Sequence, residues 1–198
     1  MITFINTFIL DNMIVSTDAI ILQGRKFGDS SKIISAFTKD YGKISLIAKG
    51  ARKPKNKFGS TIDPLNCTRI TFYKKNAGLH LLSDAETQIG LRKIKNSLEH
   101  LAIALMVIES INQSQVDNDH NPELYAATLE TLQKLNELPA NPFNYFIYFQ
   151  LLYAQMLGFG IMPEFNPEIK TLRFAMDHGT YLDNIHSGSR KLKIVPRP

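Results

Sequence analysis

Cysteine is almost missing from this chain: Cys67 stands alone among 198 residues. A single thiol cannot form an internal disulfide or assemble a thiolate zinc site. It sits in Asn66-Cys67-Thr68-Arg69-Ile70, an apparent strand, where a small buried thiol is expected and a reducing cytoplasm fits. Long apolar runs are missing too. No stretch approaches the ~18–20 residues of a spanning helix, so no membrane partner is expected. The apolar opening Met1–Leu10 has no basic leader and no small-residue cleavage site, so it does not read as a signal peptide. A strand pattern begins at Met13, so residues 1–12 read as an N-terminal extension, and Met1 and Met13 both stand as candidates for the natural start.

Signatures of catalysis are equally scarce. There is no G-x-x-x-x-G-K-[ST] phosphate loop and no G-x-S-x-G elbow, and the thiol has no base nearby. The five histidines are scattered. His178 and His186, with Asp177 and Asp183 close by, make the one conceivable metal cluster, but no helical i,i+4 pair supports it. Asp84 and Glu86 share a strand face near a strand end, where solvent is the ordinary environment. No internal repeat or low-complexity segment appears. No catalytic residue, metal or cofactor is expected.

What is present is a globular composition, 44% hydrophobic and 21% charged, long enough for one large or two small domains. Its charge is unevenly placed. Residues 1–90 hold 13 Lys/Arg against 7 Asp/Glu, whereas residues 91–198 hold 10 against 11. The front half therefore suits a polyanion, nucleic acid or an acidic membrane surface, although charge alone also fits a merely soluble basic protein.

From Met13 to about Gln88 the pattern is strand after strand. Ile14–Leu22 is β-rich and stops at Gly24; Lys32–Thr38 follows, then a turn at Asp40-Tyr41-Gly42. Lys43–Ala48 alternates, with Ile44, Leu46 and Ala48 on one face. Leu65–Tyr73 and Leu79–Ala85 complete five strands, which suit a small barrel of OB or SH3-like type, or a small sandwich. Near residue 90 the period changes. Leu91, Ile94, Leu98, Leu101, Leu105 and Ile108 predict one amphipathic helix. Asn121-Pro122 and Asn141-Pro142 are helix starts, and the second of these helices ends at Gly158. Three helices with short links predict an antiparallel bundle. Phe174–His178 and Thr180–Leu182 predict a small hairpin, and the tail from Lys191 has no core pattern.

The segment Lys49-Gly-Ala-Arg-Lys-Pro-Lys-Asn-Lys57 carries five basic residues and no acid, with Gly50 and Pro54 opposing regular structure. Between barrel strands such a loop can follow a phosphate backbone, each contact releasing condensed counterions. Lys49, Arg52, Lys53, Lys55 and Lys57 are the candidate contacts, and Arg25, Lys26, Lys74 and Lys75 at other strand ends extend them. Phe27, Phe58, Phe72 and Tyr73 are interleaved; each is either a base-stacking platform, worth ~1–3 kcal/mol per base, or core.

Phe37-Thr-Lys-Asp-Tyr-Gly-Lys-Ile-Ser-Leu-Ile-Ala-Lys-Gly-Ala-Arg-Lys-Pro54 resembles the N-terminal signature of the RecO family: Phe-Thr, Gly-Lys/Arg, an apolar strand, then Ala-Lys-Gly-Ala-Arg. Thr17–Leu22, Phe27–Ile33, Asp63-Pro-Leu65 and Leu157-Gly-Phe-Gly160 resemble further family features in the same order, over Met13 to about Pro163. The resemblance implies an α+β protein: a five-stranded OB barrel at 13–88, then a helical domain at 89–198. It also implies a non-enzymatic recombination mediator acting in DNA repair in the bacterial cytoplasm at the nucleoid. Such a protein binds single- and double-stranded DNA, anneals strands, and with RecR loads RecA onto DNA coated by single-strand-binding protein. DNA binding falls on Lys49–Lys57. Many family members carry a four-cysteine zinc motif where this chain has Met162–Lys170 without cysteine, so a zinc-free, C-terminally short variant is expected. An RNA-binding OB module and, more remotely, a metal-dependent hydrolase at His178 and His186 are the rival readings.

Overall fold

Strict alternation builds the front of the molecule. In a computed structural model, Ile44, Leu46 and Ala48 of Gly42–Ala48 are buried while Lys43, Ser45 and Ile47 lie on the other face. Residues 13–76 and 78–158 are described in full, and 172–175, 180–182 and 190–192 by their backbone. The chain divides into two units, one ending at Pro142 and one beginning at Phe143.

In the first unit five strands follow one another: β1 (Met13–Phe27), β2 (Ser31–Thr38), β3 (Gly42–Ala48), β4 (Cys67–Lys74) and β5 (His80–Ile89). They form a barrel in the order β1-β2-β3-β5-β4, with β4 pairing back onto β1. All neighbours are antiparallel except β3 and β5, which run parallel over two register pairs, Leu46–His80 and Ile47–Leu81. That parallel seam closes the ring as an OB barrel. The barrel interior is filled by Ile21, Ile34, Ile44, Leu46, Ile70, Phe72 and Leu82.

β1 is longer than its sequence suggests. It passes through Gly24, which pairs with Ile34, and continues to Phe27. Its first half pairs with β4 and its second half with β2, with a bulge between Ile21 and Gln23. A bulge followed by glycine lets one strand bend from one neighbour to the next, so Gly24 marks a bend rather than an end. Arg25 and Lys26 are therefore strand residues.

The helices of this unit are α1 (Arg92–Lys95), α2 (Leu98–Ser114) and α3 (Pro122–Asn136). The single helix expected from Leu91 to Ile108 is broken at Ser97, whose backbone is extended, φ −125° and ψ 115°. The break shifts the buried face. His100, Ile103, Ala104, Val107, Ile108 and Ile111 turn inward, while Leu98 is 84% exposed. The break is held from both sides: Ser97 Oγ lies 2.7 Å from His100 Nδ1, and His100 Nε2 lies 3.0 Å from the Pro139 carbonyl. Asn136 Oδ1 accepts from the Lys93 and Ile94 amides and so caps α1 from α3. At α3 the Asn-Pro start is as expected, with Asn121 Oδ1 accepting from the Leu124 amide at 2.9 Å.

The second unit contains α4 (Pro142–Met156), followed by Gly158 at φ +84°. Phe149 and Tyr153 of α4 are buried and stacked at 5.8 Å. Its small sheet joins β6 (Leu172–Ala175), β7 (Thr180–Leu182) and β8 (Arg190–Leu192). The β6–β7 hairpin is the expected one; β8 adds a strand on the other edge of β6, where no pattern was visible.

Candidate nucleic-acid interface

The directions of the barrel strands decide which basic residues can meet. β1, β3 and β5 run one way, and β2 and β4 run the other. The β1–β2 turn and the long β3–β4 connection therefore share one pole of the barrel. The β2–β3 turn and the β4–β5 turn share the opposite pole. Arg25, Lys26, Lys49, Arg52, Lys53, Lys55 and Lys57 fall at the first pole, and all seven are exposed. Lys74 and Lys75 fall at the second. They do not extend the first patch: Lys74 pairs with Met13, at the far end of β1 from Arg25.

The loop after β3 carries its cations outward because its apolar residues plug the barrel. Ala51, Phe58 and Ile62 join the core cluster. Gly50, at φ +72°, makes the turn that sends Ala51 inward. Arg52 ties the loop to the β1–β2 turn: its amide donates to Ser30 O at 2.8 Å and its guanidinium to Gly28 O at 2.9 Å. Asn56 Oδ1 accepts from the Phe58 and Gly59 amides, and Lys57 Nζ donates to Ser83 O. The loop is irregular yet anchored throughout.

Among the described residues none of these nine cations makes an ion pair. The paired cations of the barrel are others: Lys32 with Asp63 at 3.0 Å, Lys43 with Asp117 at 3.4 Å and Arg69 with Asp18 at 3.6 Å. The seven at the first pole thus keep their charge uncompensated.

The aromatics divide by burial. Phe58 and Phe72 are core, Tyr73 is half-buried, and Phe27 is 47% exposed beside the basic loop. Phe27 is the most exposed of the four. Cys67 is buried as expected, and burial pushes its thiol up to about 12. At the second pole His80 packs on Phe72, and its Nδ1 accepts from the Lys75 amide at 3.1 Å. Burial first, then Lys74 and Lys75, hold its pKa below the ordinary histidine range.

A groove of about 450 Å³ crosses the outer face of β1, β2 and β3, and it was not apparent from the sequence. Gln23, Ser35 and Ser45 form one cross-strand row, and Arg25, Ile33 and Ile47 the next. Asn112 of α2 walls one side, accepting from Ser35 Oγ at 3.2 Å and donating to Gln23 Oε1 at 3.5 Å. Lys43 closes one end, donating to Asn112 O at 3.0 Å and pairing with Asp117. Among the described residues no group of three or more His, Cys, Asp or Glu is placed to hold a metal ion. The His178–His186 cluster and the Met162–Lys170 segment lie outside the described residues. No described helix is long and apolar enough to cross a membrane.

An OB barrel with an uncompensated basic pole, followed by helices, defines the class: an OB-fold protein with an appended helical region. Family models narrow it. That of recombination protein O, N terminal, matches residues 13–89, and that of recombination protein O, C terminal, matches 95–166. The chain belongs to the recombination protein O (RecO) family. It is 33% identical over 146 residues to a DNA repair protein RecO of Salinibacter ruber, covering 73% of this chain and 56% of that one. The protein of that name from Pelodictyon phaeoclathratiforme is 30% identical over 164 residues, 82% and 60% of the two chains. That from Bacillus subtilis is 30% identical over 155 residues, 78% and 59%. The chain thus spans between 56% and 60% of the length of these relatives.

Proposed function

We propose that this chain binds DNA through the basic pole of its barrel and acts without bond chemistry as a DNA-repair and recombination mediator. The observation that carries the reading is the gathering of seven exposed, unpaired cations, Arg25, Lys26, Lys49, Arg52, Lys53, Lys55 and Lys57, at one end of an OB barrel. Contacts of this kind hold phosphates and read no sequence, so both single- and double-stranded DNA are ligands. Phe27 adds stacking for unpaired bases. Two strands held against one screening surface repel each other less, which favours annealing. Membership of the RecO family supports placing this activity in the bacterial cytoplasm, with RecR, single-strand-binding protein and RecA as the partners of the loading step. The decisive experiment follows annealing of complementary oligonucleotides with and without the protein, beside competition between matched DNA and RNA strands. Faster annealing with DNA bound at least as well as RNA supports the mediator. Clear preference for RNA, with no annealing, supports an RNA-binding module instead.

A further inference from the structure

The second pole of the barrel has a cavity of its own. The α2–α3 connection is clamped to β3 there: Lys43 O accepts from the Asn118 amide at 2.8 Å, and the Lys43 ammonium pairs with Asp117. The clamp brings Asn118 and His120 beside Asp40, Tyr41, Lys74 and His80, around about 150 Å³ of open space. That volume lies below the ~300 Å³ at which clefts for drug-sized ligands begin, so the cavity takes one small group. Its donors are built in. His80 is only 7% exposed, and with Nδ1 accepting from the Lys75 amide its ring proton sits on Nε2. That N–H has no partner among the described residues, although donors on buried side chains are ordinarily satisfied. Lys74 Nζ lies 4.8 Å from the Tyr41 ring centroid and makes no ion pair among the described residues. A free ammonium and an unfilled N–H on one small cavity call for an oxyanion. Asp40 limits which one. Its Oδ2 accepts from Thr17 Oγ1 at 2.6 Å, and its other oxygen has no partner among the described residues. An ionised carboxylate only accepts, so it repels a bare oxyanion and bonds one that keeps a proton. A phosphate group, with a second pKa of about 6, keeps one near neutral pH, whereas sulfate does not.

We propose that this cavity is a phosphate site, in which Lys74 and the His80 Nε2–H donate to the anion while Asp40 accepts from its P–OH and so selects phosphate over sulfate. The ligand is a free phosphate or the terminal phosphate of a strand. A backbone diester has no P–OH to offer Asp40 and belongs at the other pole. The site is therefore separate from the seven cations around Lys49–Lys57, at the opposite end of the barrel, and does not depend on what they bind.

The test titrates the protein with inorganic phosphate and with sulfate at about pH 6.5 and constant ionic strength, following the His80 ring and the Lys75 and Asn118 amides by NMR. Phosphate shifts these signals saturably, and sulfate binds at least about tenfold more weakly. Lys74→Ala weakens phosphate binding about tenfold, the loss of one charge-assisted hydrogen bond. Asp40→Asn keeps an acceptor for Thr17 but removes the charge, and it brings sulfate to within about threefold of phosphate. Equal melting temperatures verify that both variants fold. A 5′-phosphorylated oligothymidine beside its 5′-hydroxyl form separates the two sources. The same shifts from the phosphorylated strand alone assign the site to strand ends, and shifts from inorganic phosphate with neither strand assign it to free phosphate. No shift with either anion, or sulfate bound by the unaltered protein as well as phosphate, overturns the inference. So does a phosphate-to-sulfate preference that Asp40→Asn leaves unchanged.

Discussion

Histidine 80 shows how a single residue ties the fold to pH. Its Nδ1 accepts a backbone hydrogen bond, so the ring is held neutral with its proton on Nε2. Protonation removes that acceptor and adds a cation beside Lys74 and Lys75, and the pKa is lowered accordingly. A histidine with a lowered pKa binds fewer protons folded than unfolded. Its contribution to stability is present above the unfolded value of about 6.5 and is lost as pH falls through it toward the folded value. Melting temperature therefore falls between about pH 7 and pH 5, and His80→Gln flattens part of that fall. A titration of His80 followed by NMR at or above the ordinary histidine value contradicts this. None of it was legible from sequence, where His80 was one of five scattered histidines; the environment comes from Phe72 and Lys75, brought in by strand pairing.

At the scale of elements, the β2–β3 hairpin explains much of the family signature in this chain. Phe37 packs against Tyr125 of α3 at 5.8 Å, and Thr38 closes the turn through Gly42 O and the Tyr41 amide. Gly42, at φ +66°, serves two ends. It makes the turn, and it lies under the α2–α3 connection, where an added Cβ would meet Asp119 O at 2.0 Å. Gly42→Ala therefore destabilises by about 2–4 kcal/mol, from left-handed strain and displacement of that connection, a fall in melting temperature of roughly 5–15 °C. A change of under a degree contradicts the packing described. The turn glycine was readable from Asp40-Tyr41-Gly42; the connection above it was not, since Asp119 is remote in sequence. The same divide holds elsewhere. β3 was legible because burial of one face enforces period two, and α3 because Asn121-Pro122 is a local signal. The face of α2 was misread because the leucine spacing runs unbroken through Ser97 while the backbone does not.

For the whole molecule, the charge asymmetry resolves into a polarity of the barrel. Sequence proximity grouped nine cations as one patch, yet strand direction sends Lys74 and Lys75 to the opposite pole from the other seven. The basic loop was legible because its composition is local. The groove was not, because its wall, Asn112, enters from a helix that follows the barrel, and its floor residues read as ordinary strand alternation. The proposed function requires the seven-residue pole to hold the phosphates. It is tested most directly by the salt dependence of single-stranded DNA affinity for the unaltered protein, for Arg52→Ala, Lys53→Ala, Lys55→Ala and Lys57→Ala combined, and for Lys74→Ala with Lys75→Ala. Each lost phosphate contact removes about 0.7 from the slope of log K against log salt for a single strand. The four-fold variant is expected to lose about 2–3 from the magnitude of the slope and the Lys74, Lys75 pair to lose little. An unchanged slope in the four-fold variant, or an equal loss in the pair, contradicts it.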